Sequence, residues 1–351
     1  MFRPSFILIG LWIFLSPAQA FDRGQLQGLL AEAVDDDTAA VLHVSTPEGA
    51  ITLTHGRKWQ GGPPVEADDL FVLASVSKPY LAAAVLALNA DGQLPLDRPV
   101  RKLLDARTAK GFPGLDRITV RMLLSMRSAL MDYYTDDYLE ELILPRRTGI
   151  TLNRALGYAR DEVLAFRPGK IFDYVNTNYL LAQAVLEKAA GMPMHQVFQE
   201  RLFRPAGLTR THVLNATGSP PLSVAGYEDL FGDGPVDVRL YYHAPGFGDG
   251  GLIASAADAA RFFRALLIDR MVLPSTQLAA MLADPEGDEY GLGIDVEHDK
   301  RLGVIFGHSG GDLGFVSDVR VVPSKGFVVV ALFGSVESNS DLTWRVLDAL
   351  D

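Results

Sequence analysis

Cysteine is absent from the 351 residues. This excludes thiol nucleophiles, CxxC redox chemistry, cysteine-ligated zinc or iron–sulfur clusters and lipid attachment through a cysteine. Positive charge is also short: 32 Lys plus Arg stand against 43 Asp plus Glu, a net charge of −11. Phosphate binding needs a basic face, so no nucleic-acid partner is expected. The seven histidines include no HExxH and no other close ligand pair, so neither a metal nor a cofactor is expected. Beyond the first twenty residues the apolar runs are short, 327–333 being strand-sized. What remains is an ordinary globular composition, 48% hydrophobic and 21% charged, in a chain long enough to bury a sizeable core.

Residues 1–20 carry one positive charge at Arg3, an apolar run over 6–15, a Ser16-Pro17 break and Ala18-Gln19-Ala20. This is the pattern of a secretory leader, with cleavage expected before Phe21. Ten apolar residues are too few to span about 30 Å of hydrocarbon as a helix. A periplasmic or extracellular protein, with no stable membrane insertion after cleavage, is therefore expected.

Short β-type runs at 39–45, 50–54 and 70–73 open the mature chain, the first two joined by the turn Thr46-Pro47-Glu48-Gly49. An Ala/Leu-rich stretch over 75–90 with helical spacing follows. Helical segments at 120–126, 152–165 and 179–190 fill the middle region, which reads as mainly helical with long loops. A further helix is expected at 254–267. Strands then dominate at 293–296, 302–306, 315–322 and 326–333, before a last amphipathic helix at 340–350. Strands at both ends with helices between them imply an α/β (α+β) fold. One antiparallel sheet with flanking helices would be completed by both chain ends, with an inserted helical lobe and a cleft between. The expected division is a leader at 1–20 and one domain at 21–351, its α/β lobe at about 21–100 and 226–351 and its helical lobe at about 101–225.

Three groups of residues carry chemistry. Pro79 is tolerated only in a first helical turn, which sets a helix start near Ser75 and places Ser75 and Lys78 on one face. A lysine can take a serine proton if its pKa is lowered by burial. The second group is Gly307-His308-Ser309-Gly310-Gly311. It matches the G-x-S-x-G elbow of α/β-hydrolases, but leads into a strand and has no histidine after it. A Gly-bearing strand that lets a substrate backbone approach fits better. The third is Tyr174-x-Asn176, where a phenol can relay a proton and an amide can bond a substrate amide. Tyr133-Tyr134-Thr135-Asp136-Asp137-Tyr138 fits a pocket rim or a solvated helix start equally well.

The ordered set Ser75-x-x-Lys78, Tyr174-x-Asn176, His308-Ser309-Gly310 resembles the signature of the serine β-lactamase-like and penicillin-recognising hydrolases, in the class C β-lactamase and DD-carboxypeptidase branch. Residues 71–100, 118–130, 166–208, 250–266 and 307–322 follow the same pattern. The resemblance implies Ser75 as acylated nucleophile, Lys78 as its proton acceptor and Tyr174 as proton donor to the leaving group and activator of the deacylating water. It implies Asn176 as partner of the acyl side chain's amide, and His308, Ser309 and Gly310 as the substrate-binding strand. The oxyanion hole would be the backbone amides of Ser75 and Gly311. The expected activity is an acyl-enzyme hydrolase: a D-alanyl-D-alanine carboxypeptidase or related D-amino-acid peptidase. The alternatives are an esterase or β-lactamase using the same residues, or a silent penicillin-sensing or envelope-binding module. Expected partners are a small peptide, ester or β-lactam substrate, and peptidoglycan.

Two departures bear on the substrate. His308 stands where class C β-lactamases carry lysine, giving a charge for a substrate carboxylate only when protonated. The segment Met126-Arg127-Ser128-Ala129-Leu130 lacks the family's usual His-Thr-Ser-Gly-Leu.

Overall fold

Phe327–Phe333 is buried at every residue but the first, so both of its faces must be covered. It is an inner strand of the main sheet. The computed structural model describes residues 22–144, 149–338 and 341–351; the leader expected at 1–20 lies outside the described residues. In chain order the strands are β1 (Ala40–Thr46), β2 (Gly49–His55), β3 (Phe71–Val72), β4 (Thr211–Val213), β5 (Tyr227–Glu228), β6 (Val236–Asp237), β7 (Leu252–Ala254), β8 (Asp295–Asp299), β9 (Gly303–Asp312), β10 (Phe315–Val322) and β11 (Phe327–Phe333). Six form an antiparallel sheet in the order β2-β1-β11-β10-β9-β8. The first strand thus pairs with the last, Val41 opposite Leu332.

The two-residue period sorts this sheet into two faces. Val41, Val328, Val330 and Leu332 join the larger core, which includes the helix Ala256–Leu267. Ala40, Leu42, Val329 and Ala331 face the helices Arg23–Ala33 and Leu342–Leu350 through Leu26, Leu30, Leu342 and Val346. The helix Arg23–Ala33 had no counterpart in the sequence reading; it is capped by Asp22, whose carboxylate accepts from Gln25 N at 3.0 Å.

Two expectations are corrected. The run at 70–73 does not join the main sheet: β3 lies in a separate sheet, β3-β7-β4. Leu73 N donates to Leu252 O at 2.8 Å and Ser317 Oγ donates to Leu73 O at 2.6 Å, so this strand delivers the next turn onto β10 and β9. The helix at 152–165 is also shorter, Leu152–Ala155 followed by a 3₁₀ turn Leu156–Ala159. Asp161 breaks it with φ 61°, its N–H donating to Gly111 O at 2.8 Å. The helix Lys78–Ala90 is buried along nearly its whole length and packs against Thr177–Ala190 and Ser275–Leu282.

Arg320 ties β10 to its neighbours. Its guanidinium meets Asp318 at 3.0 Å, Glu297 at 3.0 Å and Asp295 at 3.1 Å, and lies 5.5 Å from the Trp344 ring. Asp318 is only 2% exposed, and burial lifts its pKa to about 6 even beside Arg320. Arg320→Gln strands a buried carboxylate, so urea unfolding at pH 8 should show a loss of about 3–5 kcal/mol. The deficit should narrow as pH falls toward about 6, because the Asp318 carboxyl without its guanidinium takes up a proton at a higher pH than it does beside Arg320.

Candidate active site

The α-helix begins at Lys78, preceded by a 3₁₀ turn over Ala74–Ser77. Residues three apart eclipse in a 3₁₀ turn, which sets Lys78 over Ser75. Lys78 Nζ donates to Ser75 Oγ at 2.8 Å and to Asp249 O at 2.9 Å. The lysine is completely buried. That burial lowers its pKa to about 8, against the opposing pull of Asp249, Asp132, Asp312 and Asp295. Tyr174 lines the same pocket wall as Ser75, and its ring centroid is 5.0 Å from Lys78 Nζ. The residue is 39% exposed, but its hydroxyl end is desolvated, which raises the phenol's pKa and keeps it protonated.

The turn is held against β9 by close backbone approach. A Cβ at Gly310 would lie 2.6 Å from Leu73 O, 2.6 Å from Ser317 Oγ and 2.9 Å from Ser75 N, so only glycine fits. Ala74, at φ 45°, absorbs the tight geometry. The first hydrogen bond of the turn runs from Val76 N to Leu73 O at 3.0 Å, which leaves the Ser75 amide ahead of it and open to a ligand. β8 pairs with β9 only as far as Asp295 opposite Gly307. From His308 to Asp312 that edge is therefore unpaired by β8, and the Gly307-x-Ser309-x-Gly311 segment is strand, not elbow.

Asn176 precedes the helix Thr177–Ala190 and donates through Nδ2 to Asp132 Oδ2 at 3.1 Å. Thr177 Oγ1 accepts from Tyr133 N at 2.8 Å and donates to Met131 O at 2.8 Å, fixing the Tyr-x-Asn loop to the tyrosine-rich segment. The charge that His308 carries only when protonated is disfavoured by its surroundings. A carbonyl can only accept, so His308 Nδ1–H donates to Ser309 O at 2.5 Å, and Nε2 accepts from Tyr290 OH at 3.2 Å. Burial lowers this imidazole's pKa, and it is neutral at pH 7. Arg127 pairs with Asp288, which joins the divergent 126–130 segment to the loop before β8.

Ser75, Tyr174 and Gly311 stand where two compartments meet. One, of about 240 Å³, is walled by Tyr133, Tyr134, Tyr138, Tyr242, Phe247 and Asn176. The tyrosine cluster thus rims a pocket. The other, of about 840 Å³, is bordered by Tyr290, His308, Ser309, Asp295, Asp318 and Arg320. Two carboxylates of the smaller compartment, Asp249 and Asp312, were not singled out in the sequence. The only signals were the glycines around Asp249 and the position of Asp312 directly after Gly310-Gly311.

The model of the β-lactamase family matches residues 26–350. Penicillin-binding protein 4* of Bacillus subtilis is 28% identical over 72% of this chain and 58% of its own length. A D-aminopeptidase of Cereibacter sphaeroides is 26% identical over 77% of this chain and 51% of its own. The chain therefore spans little more than half the length of these relatives. Among solved structures, a D-stereospecific amidohydrolase from Streptomyces sp. superposes with a TM-score of 0.79 at 27% identity, covering 93% of this chain and 98% of that one. A penicillin-binding protein from Bacillus halodurans, 23% identical with a TM-score of 0.78, shares the fold. With the match running almost from end to end of the described residues, and an antiparallel sheet flanked by helices as its frame, the chain belongs to the β-lactamase family of serine hydrolases.

Proposed function

We propose that this chain hydrolyses amide bonds of D-amino-acid derivatives through an acyl-enzyme on Ser75, and that it does so as an exported enzyme. The observation that carries the reading is the 2.8 Å bond between Ser75 Oγ and the buried Lys78 amine, with Tyr174 beside both. Neutral Lys78 takes the serine proton as Oγ attacks the substrate carbonyl. The Ser75 and Gly311 amides receive the developing oxyanion. Tyr174, held as a phenol, gives its proton to the departing nitrogen, and the tyrosinate is recharged by the proton on Lys78. In deacylation Lys78, by way of Tyr174, takes the proton of the attacking water and delivers it to Ser75 Oγ as the acyl–oxygen bond breaks, which restores the free serine.

The bond to D-residues follows the D-aminopeptidase and D-stereospecific amidohydrolase named above. We place the leaving group in the larger compartment, beside His308 and Arg320, and between a carboxypeptidase and a related D-amino-acid peptidase that compartment supports the latter. A carboxypeptidase's leaving residue carries a carboxylate. Here His308 is neutral, Arg320 is tied to three carboxylates and Arg127 to Asp288. No cation among the described residues of that compartment is left to receive one.

D-Phenylalanine p-nitroanilide should be turned over, with a kcat/KM at least tenfold above that for a substrate ending in D-Ala-D-Ala. The reverse order would restore the carboxypeptidase. Ser75→Ala should abolish turnover, and its unfolding free energy should stay within about 1 kcal/mol of the parent, since Ser75 makes no cap bond. Because Lys78 acts only when neutral, kcat/KM for an amine-free substrate such as p-nitrophenyl acetate should climb close to tenfold per pH unit up to about pH 8 and then level. A profile flat from pH 6 to 9 would remove Lys78 as the acceptor. For export, Edman sequencing of protein recovered from the periplasm or medium should begin at Phe21; protein that stays in the cytoplasm with residues 1–20 attached would refute it.

A further inference from the structure

Resting on that reading, we infer that the tyrosine-walled compartment selects an acyl group with a free, protonated α-amine, that Asp312 and Asp249 are the residues that read it, and that N-acylated substrates are excluded. The compartment opens onto Ser75 and holds about 240 Å³. None of its described lining residues is Lys, Arg or His, and its two ionisable acids are Asp249 and Asp312. Each is held in place by a phenol on the neighbouring segment. Tyr133 OH donates to Asp249 Oδ2 at 2.7 Å, and Tyr134 OH donates to Asp312 Oδ1 at 2.9 Å, beside Leu313 N at 2.9 Å. Lys78 bonds the backbone carbonyl of Asp249, not its carboxylate.

A third group is turned the same way. Asp132 can only accept, so the amide of Asn176 must direct Nδ2 at it. This leaves the Asn176 carbonyl oxygen as an acceptor on the wall of the compartment. Two carboxylates and an amide oxygen therefore border the space next to the nucleophile, and the cation that acts on those carboxylates, Lys78, gives its hydrogen bonds to Ser75 Oγ and the Asp249 carbonyl instead. Burial raises both carboxyl pKa values, that of Asp249 to about 6, against the opposing pull of Lys78. An ammonium group supplies both the charge and three N–H donors. Tyr138, Tyr242 and Phe247 then take the side chain, and their ring faces favour a nearby cation. An N-acyl group has one N–H, no charge, and a carbonyl oxygen that would face the same carboxylates.

The test compares D-phenylalaninamide with N-acetyl-D-phenylalaninamide on the parent enzyme and on Asp312→Asn, with β-phenylethylamine and its N-acetyl derivative as inhibitors of the parent. The expected result is a kcat/KM at least 100-fold higher for the unblocked amide. Competitive inhibition should come from the free amine alone. In Asp312→Asn the preference should collapse at least tenfold, through KM more than kcat. Because Asp312 also anchors Tyr134, the inhibitor pair gives an answer that needs no variant. Hydrolysis of both amides within threefold of each other, or an unchanged preference in Asp312→Asn, would overturn the inference and leave amide hydrolysis standing. Hydrolysis of neither, with competition by the free amine against p-nitrophenyl acetate, would overturn the proposed activity and support the amine site. Hydrolysis of neither without that competition would overturn both.

Discussion

The burial of one amine governs this site. Lys78 sits in the first turn of a helix that has almost no exposed face, so its ammonium has exchanged water for two oxygens, Ser75 Oγ and Asp249 O. Two acceptors are fewer than the three N–H groups of an ammonium can use, and the shortfall is the reason its proton is loosely held. The neutral amine that results needs just what the geometry gives it, a hydroxyl donor 2.8 Å away. A lysine at the same sequence spacing on an exposed turn would remain charged and would be useless to Ser75 as a base.

The second requirement is that strand and turn approach more closely than side chains allow. Gly310 meets it by having no Cβ, Ala74 by accepting a left-handed φ, and the separate sheet containing β3 by carrying Leu73 onto Ser317. These features lie in distant parts of the chain and share one function: they press the Ser75 amide against β9 where its neighbour β8 has stopped pairing. The strain at Ala74 is balanced by the packing of the buried helix behind it, which fixes the direction in which Ser75 faces.

Much of this was legible in the sequence. Ser75-x-x-Lys78 with Pro79 locates a helix start by sterics alone, and the strands at 315–322 and 327–333 declare themselves by composition. The edge role of 307–311 followed from its failure as an elbow. Less legible were features that depend on partners far away in sequence. Whether 70–73 joins the main sheet is decided by β7, some 180 residues on, not by its own hydrophobicity. The helix Arg23–Ala33 is only weakly amphipathic and is stabilised by the face of the sheet it covers. Asp249 and Asp312 look like loop carboxylates among glycines until the tyrosines at 133 and 134 close over them. The charge state of His308 was equally hidden, because it depends on Tyr290 and on the carbonyl of the next residue.

The two compartments on either side of Ser75 are both poor in uncommitted positive charge, for different physical reasons. On the strand side, arginines are present but consumed: Arg320 and Arg127 spend their charge on carboxylates that hold β10, β8 and the loop at Asp288 together. On the tyrosine side, acids are present and held by neutral hydroxyls. A hydroxyl fixes a carboxylate's position without cancelling its charge, whereas a guanidinium does both. Stability and recognition are therefore separated within one cleft. The ion pairs of the strand side hold the frame and contribute little field to a ligand, while the phenol-held carboxylates of the other side keep their charge available at the point where an acyl group must enter. That difference in what neutralises each acid, more than the number of acids, is what would give the cleft a direction for the proposed substrate, with an amine at one end and an uncharged leaving group at the other.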